Sequence, residues 1–172
     1  MRYRRSHPYL FAFNLADRSR GLLVEYVDVL RGAFKAVKHR HPFRIDAVVV
    51  LPDHLHAIWT LPAGDADFPT RWMLIKAGFS RGVPRGERVS ASRQSKGERG
   101  LWQRRYWEHT IRDEDDFRRH LDYIHHNPVK HGHAARPADS AHSSIHRYID
   151  QGILPADWGE ARAPAAGGEF GE

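Results

Sequence analysis

The chain has 172 residues, with 27 lysines and arginines against 21 aspartates and glutamates, and it contains no cysteine. That length suits a single domain. The missing cysteines exclude a disulfide scaffold, a thiolate zinc site and a thiol nucleophile, and no apolar run approaches the ~18 residues of a membrane span. A soluble, cytoplasmic globular protein is expected, and a net charge of +6 with an isoelectric point near 9.9 points to a polyanion as partner, most simply nucleic acid.

Taken in chain order, residues 9–15 (YLFAFNL) predict a strand that ends at the turn-like DRSRG. Residues 22–40 predict a helix, because Leu23, Tyr26, Val27, Leu30, Phe34 and Val37 recur at three- and four-residue steps. Residues 43–51 (FRIDAVVVL) and 54–61 (HLHAIWTL) are apolar or β-branched runs separated only by Pro52-Asp53, which predicts a tight hairpin or a bent pair of strands. Residues 70–79 predict a second helix with Thr70 as N-cap, and residues 101–112 a fourth strand. A last helix is expected over 113–127, stopping at Pro128 because a residue before proline leaves the α region. The order β-α-β-β-α-β-α predicts an α+β, ferredoxin-like antiparallel sheet with helices on one face, followed by the last helix. The domain is expected to span 1–159. Residues 160–172 form a low-complexity tail expected to be disordered.

Charge is concentrated. Between positions 81 and 105, eight cations (Arg81, Arg85, Arg88, Arg93, Lys96, Arg99, Arg104 and Arg105) face two glutamates, so this stretch alone carries the whole net charge. Its centre, about 83–100, is rich in Gly, Ser and charge, lacks hydrophobic periodicity, and is expected to be a flexible loop. With Arg2, Arg4 and Arg5, these cations are the candidate phosphate contacts. Trp102, Tyr106 and Trp107 are candidates either for base stacking or for the core, the core being the commoner home.

Among 13 histidines an H-x-H pattern should arise by chance roughly once, and three pairs occur: His39/His41, His54/His56 and His131/His133. Only His54 and His56 lie within an apolar strand, where a two-residue step puts both imidazoles on one face, preset for one metal ion. On the last helix, Tyr123 and Asn127 stand four apart and share a stripe with Asp116 and His120, which would set a phenol one turn from an amide oxygen. Spacing alone does not pair that stripe with the histidine strand.

Three segments, PDHLHAIW at 52–59, WQRRYWEH at 102–109 and DYIHHNPVKHG at 122–132, resemble the HUH single-tyrosine transposases, and within them the REP-associated tyrosine branch. The resemblance runs over about 3–159. It implies that Tyr123 attacks DNA and that His54, His56 and Asn127 hold a divalent ion (Mg²⁺ or Mn²⁺); His120, one helical turn before Tyr123, is by its spacing a candidate to assist. The resemblance further implies a single-stranded DNA endonuclease and strand transferase acting on REP-like hairpins through a 5′-phosphotyrosine. A nucleoid-associated monomer is expected, rather than the helix-sharing homodimer of the parent transposases. Two other readings compete. A non-catalytic, ferredoxin-like nucleic-acid-binding module would bind without cleaving, and a histidine-triad phosphohydrolase would want a third alternating histidine where this chain has Ile58.

Overall fold

The computed structural model describes residues 6–160, so Arg2, Arg4, Arg5 and the tail beyond Glu160 lie outside the described residues. Strand β1 (Pro8–Asn14) is followed by a short helix α1 (Leu22–Glu25) and helix α2 (Val27–Arg40). Strands β2 (Arg44–Val50) and β3 (His54–Thr60) pair as a hairpin, the first of the two expected arrangements. Helix α3 (Phe68–Gly82), a single turn α4 (Ala91–Gln94), strand β4 (Trp107–Thr110), helix α5 (Glu114–Lys130), a 3₁₀ turn (Pro137–Asp139) and helix α6 (Ile145–Asp150) complete the chain. The four strands make one antiparallel sheet in the order β2-β3-β1-β4, so the fold is α+β and ferredoxin-like as expected.

Alternation along the central strands divides the interior into two layers. Phe11, Phe13, Leu55, Ala57 and Trp59 point to α2 and α3, where Trp59 stacks on Trp72 at 4.0 Å. Helices α2 and α3 approach closely at Gly82, where a Cβ would lie 2.4 Å from a methyl of Val29. The opposite face carries Leu10, Ala47, Val49 and Ile58 and is covered by Leu121 and Ile124 of α5. With both faces covered, β3 is buried from His54 to Trp59. This explains why its sequence is almost continuously apolar.

Several boundaries differ from the sequence expectation. The helix expected over 22–40 breaks at Tyr26 (φ −110°, ψ 35°). Helix α3 starts before Thr70, with Asp67 as the cap whose carboxylate accepts the Thr70 N–H. The fourth strand is only Trp107–Thr110, because Trp102 makes an isolated bridge to Leu15 and then joins the core. Tyr106 also goes to the core, stacked on Phe13 at 4.4 Å. Helix α5 runs through Pro128 to Lys130. The proline forfeits one hydrogen bond to the carbonyl four residues back, and packing on the sheet overrides that loss. At the other end of α5 the Asp113 carboxylate caps the Asp116 N–H at 2.8 Å, and three acids in the first turn suit the helix dipole.

The outer edge of β2 is covered by residues 142–144. The Val50 N–H donates to the His142 carbonyl, and the Ser144 N–H donates to that of Val48. Buried His125 of α5 bonds the Ser144 hydroxyl at 3.0 Å and ties that helix to this added edge. Burial, with Arg147 and two further histidines nearby, pushes the His125 pKa down to about 3 from an ordinary 6.5. The unfolded chain therefore takes up this proton first, so stability is full above pH 6.5 and declines as pH falls towards 3. At pH 5 the loss from this one group is about 2 kcal/mol. Thermal unfolding should show a lower midpoint at pH 5 than at pH 7, and His125→Gln should flatten that difference. An unchanged pH dependence in the variant would contradict this assignment.

Candidate active site

The two strand histidines reach their positions through the hairpin turn. The Leu15 N–H donates to the Asp53 carbonyl (2.8 Å), Leu23 N–H to that of Pro52 (3.1 Å) and Leu51 N–H to that of His54 (2.9 Å), so the turn is fixed from three sides. Beyond it, His54 and His56 point to the α5 face, and both are fully buried. The Asp53 carboxylate lies 2.7 Å from His54 Nδ1 and, on its other oxygen, 2.5 Å from the Arg18 guanidinium. A carboxylate only accepts, so Nδ1 carries the His54 proton and Nε2 carries the lone pair. Burial pushes His54 below its ordinary pKa, against the opposing pull of Asp53, which keeps the ring neutral. Burial would raise the Asp53 pKa, but the hydrogen bonds from His54 and Arg18 outweigh it and hold the carboxyl below its usual range.

Helix α5 completes the group. Asn127 Oδ1 faces His54 Nε2 at 3.2 Å, and the Tyr123 ring stands edge-on to that of His56 at 5.3 Å. Tyr123 is half-buried, so its face of the site is open to a substrate. The Lys130 ammonium lies 5.2 Å from the Tyr123 ring centre, and the His131 ring 4.7 Å from that of His54. Thus the structure brings together Tyr123, His54, His56 and Asn127, which the sequence placed on two unrelated elements.

The donors fit a divalent ion. His54 Nε2 and Asn127 Oδ1 face each other as two lone-pair atoms, and neighbouring ligands of an octahedral ion bound at roughly 2.1 Å stand about 3 Å apart. A second group lies in the same layer, nearer the start of α5: donor atoms of His109, Asp116 and His120 all fall within 4.8 Å of one another and could also hold an ion. There, however, the buried Asp116 carboxylate accepts from His109 Nε2 (2.8 Å), from the Arg112 backbone N–H (3.0 Å) and from Arg119 (3.2 Å). His120 Nδ1 donates to the Asp116 carbonyl at 2.7 Å. These bonds latch β4 to the first turns of α5. Burial works to raise the Asp116 pKa, and its hydrogen bonds outweigh this and hold it far below the usual range. Burial also lowers His120, leaving a neutral ring with its lone pair on Nε2.

No protein-family model matches the chain. A REP-associated tyrosine transposase of Escherichia coli K12 is 42% identical over 156 residues, covering 91% of this chain and 87% of the relative. A Haemophilus influenzae protein named for the same family is 41% identical over 152 residues, covering 88% of this chain and 86% of its own. The chain belongs to the REP-associated tyrosine transposases. The fold agrees: a solved structure of the REP-associated tyrosine transposase bound to a REP hairpin superposes with a TM-score of 0.82 at 40% identity, over all of this chain and 94% of the other. Among the described residues of the transposase, no helix is long and apolar enough to cross a membrane.

The cations expected at phosphates fall into two groups. Arg81, Arg85, Arg88, Lys96, Arg104 and Arg105 are exposed. Arg99 is turned inward, paired with Glu87 at 2.6 Å and donating to the carbonyls of Ser80, Val83 (2.7 Å) and Pro84 (3.1 Å). Arg93 donates to the Trp102 carbonyl at 2.9 Å. The basic stretch is thus held to the end of α3 and to the core by two of its own arginines. Sequence reasoning missed Asp53, Arg18 and His131. Asp53 reads as a turn residue beside Pro52, and only its position immediately before a strand histidine hints at the imidazole it orients.

Asp53→Asn removes the charge that pairs with Arg18 and fixes the His54 tautomer. Partners of this kind are worth 10–100-fold in metal affinity. Calorimetric titration with Mn²⁺ should show a loss of that order while the thermal midpoint moves little. Unchanged affinity would mean that His54 is oriented without Asp53.

Proposed function

We propose that this transposase is a metal-dependent endonuclease and strand transferase acting on single-stranded DNA that carries REP-type hairpins. The observation that carries the reading is the edge-on approach of Tyr123 to His56 at 5.3 Å, with Asn127 facing His54 on the same helix. A divalent ion held by His54, His56 and Asn127 would meet three neutral ligands, keep its full charge for the scissile phosphate, and stabilise the departing 3′ oxygen. Mg²⁺ and Mn²⁺ both suit the set, and Mn²⁺ tolerates imidazole better.

The protein's own residues do the rest. The Tyr123 hydroxyl oxygen forms a bond to phosphorus as the bond from phosphorus to the 3′ oxygen breaks. The phenol proton is lost and the 3′ oxygen gains one, leaving a 5′-phosphotyrosine and a free 3′-OH. An unperturbed phenol has a pKa of about 10, so the attack needs a base or a field that favours phenolate. The Lys130 ammonium beside the ring supplies such a field. His120, neutral and one turn before Tyr123, is the assisting base. Because the phosphate ester is conserved in the protein–DNA linkage, a second 3′-OH can reverse the reaction and join strands.

Hairpin DNA is the substrate class that the hairpin-bound relative supports. The exposed Arg81, Arg85, Arg88, Lys96, Arg104 and Arg105, with Arg2, Arg4 and Arg5, would contact phosphates, which position a strand without reading its bases. A monomer suffices, since one chain supplies both Tyr123 and the histidines it approaches.

Tyr123→Phe should abolish cleavage and the covalent protein–DNA adduct seen on a denaturing gel, while hairpin affinity stays within a few fold. Adduct persisting in the variant would show that another residue attacks.

A further inference from the structure

On the sheet face opposite Tyr123, a cleft of about 600 Å³ opens between α3 and the basic stretch, lined by Lys76, Arg81, Arg85, Arg93, Arg104 and buried Trp102. Its chemistry is lopsided. Glu98 is the acid in its lining, and that carboxylate already pairs with Arg104 at 3.2 Å. Lys76 makes no ion pair among the described residues. Its ammonium instead lies over two aromatic rings, 5.4 Å from the centre of Phe13 and 5.8 Å from that of Trp102. Gathering cations around a half-buried amine that makes no ion pair is unfavourable, and a bound anion would relieve it. Burial, and then Arg93, lower the Lys76 pKa, and the partial opposing pull of Glu98 does not offset them.

The cleft's place in the fold bears on what fills it. On β1, Phe13 faces the cleft, and its neighbour Asn14, on the other face, pairs in register with His54. The cleft and the histidine pair therefore lie at the same end of the sheet, on opposite faces, with the Leu15–Trp102 bridge beside them. We infer that this cleft seats a backbone phosphate of the unpaired strand flanking the hairpin, with Lys76 as its inner contact. The strand then passes around the end of β1 from the cleft to the tyrosine face. This rests on the DNA-processing reading above and adds to it a defined seat for the flank. The phosphodiester is preferred over a free anion because the exposed Arg81, Arg85 and Arg104 share the lining with Lys76, and several cations suit a chain of phosphates.

Fluorescence anisotropy should compare a hairpin bearing a single-stranded 5′ flank with the same hairpin ending flush. Lys76→Gln should weaken the flanked hairpin at least tenfold and the flush one less than twofold. Lys76→Arg should restore most of the loss. Lys38→Gln, which removes one exposed charge of α2 outside the cleft lining, should change both by less than twofold. If Lys76→Gln unfolds the protein, Arg81→Ser on the rim should show the same flank-selective loss. A dinucleotide should displace the flanked hairpin, and inorganic phosphate at the same concentration should not. Equal losses in the Lys76 and Lys38 variants, or equal losses on both hairpins, would overturn the seat while leaving DNA binding intact. Displacement by phosphate alone would make the cleft a free-anion site. Failure of the wild-type protein to bind either hairpin would instead overturn the DNA-processing reading itself.

Discussion

An α-helix advances about 6 Å over four residues and a β-strand about 6.6 Å over two, and the site depends on this near-equality. Helix α5 runs against β3 in the opposite sense, so that Tyr123 meets His56 and Asn127 meets His54. Two-residue spacing in the strand and four-residue spacing in the helix are then the same distance measured in two geometries. A shift of α5 by one residue would rotate the stripe by about 100° and part both pairs at once. The fold spends much of its structure on fixing that register: Leu121 and Ile124 anchor the helix on the sheet, Asp113 caps its start, and the Asp116 bonds tie its first turns to β4.

Such a site requires polar groups in a layer that is otherwise hydrocarbon, and each must find partners there. His54 is held by Asp53, which in turn is held by Arg18. His125 is held by Ser144, and His109 and His120 by Asp116. Carboxylates thus sit behind imidazoles rather than within the Tyr123–Asn127 group, and the lone pairs facing the substrate side belong to neutral atoms. A neutral ligand set would suit an ion that stabilises phosphate charge, and burial lowers the pKa of His54.

The strands and the hairpin were legible because alternation and the Pro52-Asp53 break are local signals. The choice of His54/His56 over two other H-x-H pairs followed from the apolar strand around them. His131 shows where that logic stops. It belongs to a polar turn in the sequence, yet its ring comes within 4.7 Å of His54, because Pro128 does not end the helix and the chain turns only at Gly132 (φ +72°). Lys76 was hidden for a similar reason. It sits in the expected helix as an ordinary surface cation, and only the packing of Phe13 and Trp102 beneath it makes a cleft. The basic stretch looked structureless since it has no apolar period, whereas Arg99 organises it through carbonyls, which leave no trace in composition.

The most direct measurement is the identity of the nitrogens on bound Mn²⁺, read by pulsed electron–nuclear spectroscopy in the wild type and in histidine variants. The account predicts two imidazole nitrogens on one ion, one lost in His54→Ala, the other in His56→Ala, and both kept in His109→Ala. Couplings that survive at positions 54 and 56 but vanish with His109 would place the ion in the group at Asp116 and contradict the assignment of the catalytic centre.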